Sequence, residues 1–152
     1  LAKNLGVSDW SSKHESDQFQ PKFGKNIAAF SRTLYLNRWF HSLRPVGVPL
    51  SPGVDEIALA FVADAYSRTG LSQAFGVSAS DEPVLTQYGL LVLPDRVAST
   101  KNQLPMDRVL STFDARPSAQ FLDWALSDIA RNFGRMTAYG VALDFEYPGF
   151  KP

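Results

Sequence analysis

The sequence predicts an α/β fold, with α+β as the alternative, in which a single mixed sheet of three to five strands packs against helices. Short apolar runs of strand length occur at Ile57–Ala63 and Leu90–Leu93, and an apolar stripe with helical spacing follows at residues 121–133. Strand patterns that alternate with helical patterns are typical of a sheet covered by helices. The length of 152 residues suits one domain.

The first 24 residues are polar, with an unbroken run of polar side chains from Ser11 to Asp17. We therefore expect residues 1–24 to form a mobile or loosely docked N-terminal arm, and residues 25–152 to form a single α/β domain. Leu1 stands where an initiator methionine is expected. This predicts a processed product or a part of a longer polypeptide.

The segment Lys25–Leu43 is predicted to be a helix, because Ile27, Phe30 and Leu34 recur at helical spacing, with Trp39 further along. A strand over residues 33–40 is the alternative, since that stretch is rich in β-prone side chains. Residues 45–53 contain three prolines and end in Gly53, which predicts a stiff connector and an internal boundary.

The run Ile57–Ala63 is continuously apolar, which predicts a strand covered on both faces. A loop or short helix is expected over Tyr66–Phe75. A second buried strand is expected at Leu90–Leu93, led in by Val84–Tyr88 and ended by Pro94.

The clearest helix follows Pro117, a residue suited to a first helical position, and ends near Gly134 as a C-cap. Its apolar stripe consists of Leu122, Leu126, Ile129 and Phe133. Asp123 and Asp128 are expected to face outward. The preceding segment, residues 104–113, is ambiguous, and a last strand is predicted at Ala138–Phe145.

Composition excludes several classes of function. The 15 basic residues balance the 15 acidic ones, which argues against nonspecific nucleic-acid binding. The absence of cysteine excludes disulfides, thiolate catalysis and zinc–sulfur sites in this chain. No apolar run approaches the roughly 20 residues that span a bilayer, and no signal peptide is recognisable, so we expect a soluble chain without assigning a compartment.

Motifs for phosphate or metal chemistry are missing. No glycine-rich phosphate loop and no nucleophile elbow is present. His14 and His41 have no ligand-like neighbours, so we expect no metal site and no cofactor. Ser67–Gly70 could hold an anion, but a solvated turn is the ordinary interpretation.

Aromatic residues cluster twice, at Tyr35, Trp39 and Phe40 and again at Phe113, Phe121 and Trp124. In a small domain such groups usually fill the core. The alternative is a binding surface, because tryptophan is enriched at interface hot spots. The candidate binding residues are Trp39, Phe40 and Trp124.

An acidic segment, Asp144-Phe145-Glu146-Tyr147-Pro148, ends the predicted last strand. Asp144 and Glu146 are two residues apart, so on a strand both carboxylates would point to one face. Neighbouring carboxylates raise each other's proton affinity, as a general acid requires. Asp144, Glu146 and Tyr147 are therefore the candidate catalytic residues.

Residues 140–149, Gly-Val-Ala-Leu-Asp-Phe-Glu-Tyr-Pro-Gly, resemble the catalytic strand of the family-18 glycosidases, where D-x-x-D-x-D-x-E runs into Tyr-Pro. Residues 121–133 are similar to the helix before that strand. The resemblance implies a general acid at Glu146 and a supporting carboxylate at Asp144. The first two aspartates of the motif fall on Tyr139 and Ala142.

Because half of that carboxylate set is absent, we expect a noncatalytic protein–protein interaction or adaptor domain, part of a larger polypeptide or assembly. The expected partner is a protein of unknown identity. A glycoside hydrolase-like or glycan-binding domain of degenerate family-18 type is the alternative, with a glycan as its ligand.

Overall fold

The structure is a computed structural model, and it describes residues 2–7, 15–22, 24–100, 105–113 and 116–152. His14 and Leu104 of the sequence predictions lie outside these ranges. In chain order the helices are α1 (Lys25–Ser31), α2 (Asn37–Phe40), α3 (Glu56–Ser67), α4 (Gln120–Phe133) and α5 (Arg135–Asp144). A π-helical turn, Arg32–Leu36, joins α1 to α2, so that one helix runs through Lys25–Phe40. Short 3-10 turns occur at Ala2–Leu5 and Asp17–Phe19.

Six strands lie between these helices: β1 (Arg44–Pro49), β2 (Ser72–Ser78), β3 (Val84–Leu85), β4 (Leu91–Val92), β5 (Arg96–Val97) and β6 (Arg108–Val109). Four of them form a sheet in the order β5-β2-β1-β6, with every pair parallel. β1 and β2 pair from Arg44 opposite Ser72 to Pro49 opposite Val77. β3 and β4 form a separate antiparallel hairpin. The predicted α/β class is therefore confirmed.

The main core lies between one face of this sheet and the helices. Val46 and Val48 of β1 point into it and are buried against α3, α4 and α5. The Tyr66 ring meets Phe133 edge-on at a centroid distance of 6.3 Å. A smaller cluster joins Phe19, Ala29 and Leu143, so a part of the N-terminal arm contacts α1 and α5.

The predicted helix after Pro117 is confirmed as α4, and its apolar stripe is buried. Gly134 ends it with a φ of 91°, a conformation that glycine adopts without strain. The helix predicted from Lys25 is also confirmed, and the alternative strand at residues 33–40 is wrong.

The strand predicted at Ile57–Ala63 is wrong, because this run lies within α3. Asp55 caps the helix by accepting hydrogen bonds from the backbone N–H groups of Ile57 and Ala58. The helix buries one side only, at Ala58, Val62, Ala65 and Tyr66. A short apolar run does not distinguish a buried strand from a helix of this kind.

The strand predicted at Ala138–Phe145 is also wrong. These residues form most of α5 and its C-cap, which follows α4 directly after Gly134. Small side chains, including Ala138, Gly140 and Ala142, are buried on it and allow close approach to neighbouring helices.

The predicted connector at residues 45–53 contains β1, a central strand of the sheet. Proline is tolerated because the backbone of Pro45 faces β6, where its carbonyl oxygen accepts a hydrogen bond from the Asp107 N–H. The hydrogen bonds on the β2 side are donated by the N–H groups of Arg44 and Leu50. β6 pairs only with Val46 and Gly47, so the missing N–H groups break no ladder bond there.

Two further predictions need correction. The segment Tyr66–Phe75, expected as loop or short helix, is divided between the end of α3 and the first half of β2. In Leu90–Leu93 only Leu91 and Val92 form a strand, and it belongs to a surface hairpin. Leu90, Leu91 and Leu93 are exposed, because no second layer covers this hairpin among the described residues.

Candidate interaction surface

The helix Lys25–Phe40 buries small and polar side chains. Ala29, Thr33 and Asn37, spaced four residues apart, are its buried residues. Asn37 is 1% exposed, and its Nδ2 donates to the carbonyl oxygen of Thr69 at 2.7 Å and to Thr137 Oγ1 at 3.3 Å. The Thr33 hydroxyl donates to Ala29 O at 3.2 Å. The buried side of this helix is thus held by hydrogen bonds and close packing.

Two glycines make this packing possible. A Cβ at Gly140 of α5 would lie 2.6 Å from Thr33 Cγ2 and 2.9 Å from Ala29 O. A Cβ at Gly70 would lie 2.3 Å from Thr33 O, and Gly70 also has a φ of 69°. The helix therefore approaches α5 and the turn before β2 more closely than other residues would permit.

The large apolar side chains of the same helix point away from the protein. Trp39 is 79% exposed and Phe40 is 74% exposed, and Tyr35 and Leu36 are also exposed. These four residues line a shallow depression of about 170 Å³, and we call them the aromatic surface. The expectation that Tyr35, Trp39 and Phe40 fill the core is wrong, because the close approach to Gly140 and Gly70 leaves no room for them there.

The chain segment that carries the aromatic surface has charges of one sign. The sequence between Asp17 and Asp55 holds no acidic residue but five basic ones: Lys22, Lys25, Arg32, Arg38 and Arg44. All 15 acidic residues therefore lie outside this interval, with only 10 of the 15 basic ones. Basic residues therefore flank the aromatic surface along the sequence, and the remainder of the chain is net acidic.

Trp124, the third candidate binding residue, lies on α4 and packs at the edge of the core. Its ring meets Phe121 at 6.4 Å, and the Arg116 guanidinium lies 5.9 Å from its centroid. It is half-buried, and it belongs to a different element from Trp39 and Phe40.

A second apolar area lies on the face of the sheet opposite the main core. Strand alternation places Pro45, Gly47, Phe75, Val77 and Val109 there, and we call these residues the open sheet face. Val77 and Val109 pack over Gly47, where an added Cβ would lie 3.0 Å and 3.1 Å from their Cγ2 atoms. None of the described helices forms a buried cluster with Phe75, Val77 or Val109.

The three candidate catalytic residues have separate partners. Asp144, the last residue of α5, pairs with Arg68 Nη1 at 2.5 Å, and Arg68 also binds Asp64. Glu146 has a φ of 49° and accepts a hydrogen bond from Ser16 Oγ at 3.2 Å. Tyr147 Oη donates to Asp123 Oδ1 at 2.6 Å; burial, and then this carboxylate, raise the pKa of Tyr147 to about 12. The shared strand face does not exist, because this segment is the end of a helix and a turn.

A buried ionic cluster is centred on Asp128, and the sequence patterns did not predict it. The prediction that Asp128 faces outward is wrong: Tyr66 Oη donates to it, Arg108 Nη1 lies 2.8 Å away and Arg131 Nη2 lies 3.1 Å away. Burial opposes ionisation of Asp128, but the hydrogen bond from Tyr66 and the ion pair with Arg108 outweigh it and lower the pKa. Burial and the bond to Asp128 raise the pKa of Tyr66. In the sequence, the signal for the burial of Asp128 is its position three residues after Ala125, on the buried side of α4.

The cluster has a structural role, since it ties β6 to α3 and α4. Within the described residues no group of three or more His, Cys, Asp or Glu side chains gathers where a metal ion could bind. His41 is exposed. No helix in the described part of the chain is long and apolar enough to cross a bilayer.

No protein-family model matches the chain, and no curated protein matches it. Solved structures do match, among them Toxoplasma gondii DJ-1 in an oxidized form, with 13% identity, a TM-score of 0.58, and coverage of 69% of this chain and 99% of that one. The resemblance to the family-18 glycosidases is therefore wrong, because the matching structure has another fold and residues 138–144 are helical. The fold of this chain is an α/β fold similar to that of DJ-1.

Proposed function

We propose that this chain is a noncatalytic protein–protein interaction domain and that the aromatic surface is its docking site. The observation that carries the proposal is the reversed orientation of the helix Lys25–Phe40, which buries Thr33 and Asn37 and exposes Trp39 and Phe40. Helices on globular proteins normally bury their apolar side. An exposed apolar area rimmed by polar groups is typical of an interaction site.

The chemistry of the exposed residues supports the same proposal. Tryptophan and tyrosine provide large contact areas at low entropic cost and are enriched among interface hot spots. Their helix is held in place on its other side by Asn37 and Thr33, so the surface is formed before a partner arrives. The Asp144–Tyr147 segment offers no comparable site, since each of its side chains is already engaged within the chain.

Site-specific photo-crosslinking tests the proposal directly. Trp39 would be replaced by p-benzoylphenylalanine in the full chain, expressed in its native cell and irradiated. We expect a discrete covalent adduct with a protein, identified by mass spectrometry, because a hot-spot side chain lies within reach of its partner. Adding Phe40→Ser should reduce the yield of that adduct several-fold.

The matched control places the same photo-reactive residue at Tyr88, an exposed aromatic residue between β3 and β4. Adducts that are identical at positions 39 and 88, or unaffected by Phe40→Ser, would contradict the proposal. Adducts with lipid alone at position 39 would contradict it as well.

A further inference from the structure

We infer that the partner docks through an acidic protein segment, in which a carboxylate side chain reaches Arg38 while neighbouring apolar side chains cover Trp39 and Phe40. The inference rests on the proposed function, because it gives the chemistry of the partner at the same docking site. Its starting point is a cavity of about 380 Å³ on one flank of the helix Lys25–Phe40. We call it the Arg38 cavity, and its lining residues are Arg38, Leu43, Ser67, Gly70, Ser72 and Gln73.

The Arg38 cavity and the aromatic surface adjoin along the helix. Successive residues of an α-helix are about 100° apart, so Arg38 and Phe40 project on opposite flanks of Trp39. Leu43, three residues after Phe40, is 59% exposed and lines the Arg38 cavity. A segment that crosses Trp39 therefore meets an apolar depression on one side and a cavity that holds a cation on the other.

The Arg38 side chain is fixed at its base, and its charge is not neutralised within the described part of the chain. Its stem packs against the turn before β2, where an added Cβ at Gly70 would lie 3.3 Å from Arg38 Cγ. No hydrogen bond or ion pair joins its guanidinium to another of the described residues. Asp64 and Asp144 both bind Arg68, at 2.9 Å and 2.5 Å, and neither pairs with Arg38.

The charge of the surrounding segment favours an acidic partner. Between Asp17 and Asp55 the chain has five basic residues and no acidic one. Opposite charges across an interface accelerate encounter and fix the register, whereas like charges suppress the wrong partner. A basic segment would be repelled here, and a neutral one would leave the Arg38 charge without a partner.

The polar lining of the Arg38 cavity suits a carboxylate. A guanidinium donates two parallel hydrogen bonds to a carboxylate, and the exposed amide of Gln73 can donate a third. One cation beside a neutral amide balances the single charge of aspartate or glutamate. A phosphorylated residue carries a charge of about −1.5 to −2 and is typically bound by a cluster of arginines.

The shape of the site favours a protein segment over a membrane surface. A volume of about 380 Å³ is within the range of side-chain and ligand pockets, about 300–1,000 Å³. A helix that lies on a membrane inserts its apolar side and presents its basic residues toward the headgroups from the polar side. Here the side opposite Trp39 is packed on the protein through Thr33 and Asn37, and Arg38 lines a cavity that an inserted side chain can enter.

The test is a selection of random short peptides displayed on phage, carried out on the immobilised full chain and on its Arg38→Glu variant. We expect the wild type to enrich peptides that combine aromatic or aliphatic residues with Asp or Glu, and Phe40→Ser to abolish their binding. Arg38→Glu should instead enrich peptides with Lys or Arg in place of the acid, because the charge of the site is reversed. Lys151→Glu, at an exposed residue outside both surfaces, changes the net charge equally and should keep the acidic preference.

A double-mutant cycle then locates the carboxylate of the bound peptide. The strongest acidic peptide is labelled with fluorescein and titrated with each protein by fluorescence anisotropy. Changing its Glu to Gln, or Arg38→Ala in the protein, should each weaken binding roughly ten-fold. Both changes together should weaken it no further, because they remove the same contact. Urea unfolding of each variant establishes that it is folded.

The inference is overturned if the selected peptides show no excess of acidic residues, if Arg38→Glu keeps the wild-type preference, or if the two changes in the cycle are additive. A selection that yields no peptide dependent on Phe40 overturns it as well. A phosphoserine peptide that binds about ten-fold more tightly than its glutamate counterpart would show a phosphate site instead.

Two further results separate this inference from the proposed function. Binding of phosphatidylglycerol vesicles that Arg38→Glu abolishes, without any selected peptide, would identify a membrane as the partner and overturn the inference. A protein adduct at position 39 in cells that Phe40→Ser reduces, but that Arg38→Glu leaves unchanged, would overturn the inference and leave the proposed function standing.

Discussion

Asn37 Nδ2 donates a 2.7 Å hydrogen bond to the carbonyl oxygen of Thr69, 32 residues further along the chain. The bond connects the helix Lys25–Phe40 with the turn between α3 and β2. The bond is buried, and a buried carbonyl oxygen that has no donor loses its hydration without gaining a hydrogen bond. The orientation of the whole helix therefore depends on an amide side chain.

The first prediction concerns this bond. Asn37→Leu should lower the free energy of unfolding by about 1–3 kcal/mol, because Thr69 O and Thr137 Oγ1 both lose a buried donor. Urea denaturation with an unchanged m-value measures the loss. Trp39→Ser, on the exposed side of the same helix, should change stability by no more than about 0.5 kcal/mol. A stable Asn37→Leu variant would show that this side of the helix is not its anchor.

The second prediction concerns the contact between Gly140 and Thr33. At an unobstructed helix position Gly→Ala stabilises by about 1 kcal/mol. Here Gly140→Ala should instead destabilise by about 1–3 kcal/mol, since its Cβ would lie 2.6 Å from Thr33 Cγ2.

Thr33→Ser removes that methyl group and supplies the control for Gly140→Ala. In a double-mutant cycle it should restore a part of the loss, with the remainder due to Ala29 O. Additive effects of the two substitutions would contradict the close contact. Thermal or urea unfolding of the four proteins gives the coupling energy.

Helices were predictable to different degrees. α4 could be predicted because it is fourteen residues long, carries a regular apolar stripe and is bounded by Pro117 and Gly134. α3 and α5 could not, because a short, nearly uniform apolar run has no periodicity that separates helix from strand. β1 was hidden by Pro45 and Pro49, which are rare in a central strand and are tolerated here because β6 is only two residues long.

The residues of the candidate site were also predictable only in part. Trp39 and Phe40 could be named from the sequence as binding candidates. Their exposure could not be predicted, because the choice of which helix side is buried depends on Gly140 and Gly70, which lie far away in the chain. The shared face of Asp144 and Glu146 depended on a strand, and it disappeared when that segment proved to be helical.

The third prediction concerns Asp128. Asp128→Asn should destabilise the protein at pH 7 by about 2–4 kcal/mol, because it leaves the Arg108 guanidinium beside a neutral amide. The pKa of Asp128 is lowered in the folded state, so its contribution is fully present above the ordinary value of 3.8 and is lost as the pH falls below it.

The stability difference between wild type and Asp128→Asn should therefore shrink as the pH falls below the ordinary carboxyl pKa of 3.8. Urea unfolding at several pH values measures it. Asp81→Asn, in the turn between β2 and β3, is the control because Asp81 is exposed. A difference that stays constant with pH would contradict an ionised Asp128 in the cluster.

The fourth prediction concerns Glu146, whose φ of 49° is unfavourable for most residues. Glu146→Asn should stabilise the protein by about 0.5–1 kcal/mol, because asparagine tolerates the left-handed region better. Glu146→Val should destabilise it, since a β-branched side chain suits that region least. Thermal unfolding compares the three proteins, and the same Tm for the Asn and Val variants would contradict the strained turn.

The π-helical turn Arg32–Leu36 sets how this protein can change through insertions and deletions. A π-helical turn holds one residue more than an α-helical turn, so deleting one residue there restores an α-helix, whereas inserting one more residue would rotate everything after it by about 100° relative to α1. Asn37 would leave its place beside Thr69, and the aromatic side chains would swing toward Gly140 and Gly70, which have no space for them. Point substitutions can alter the aromatic surface one side chain at a time, whereas a single-codon insertion would displace the surface and its anchor together.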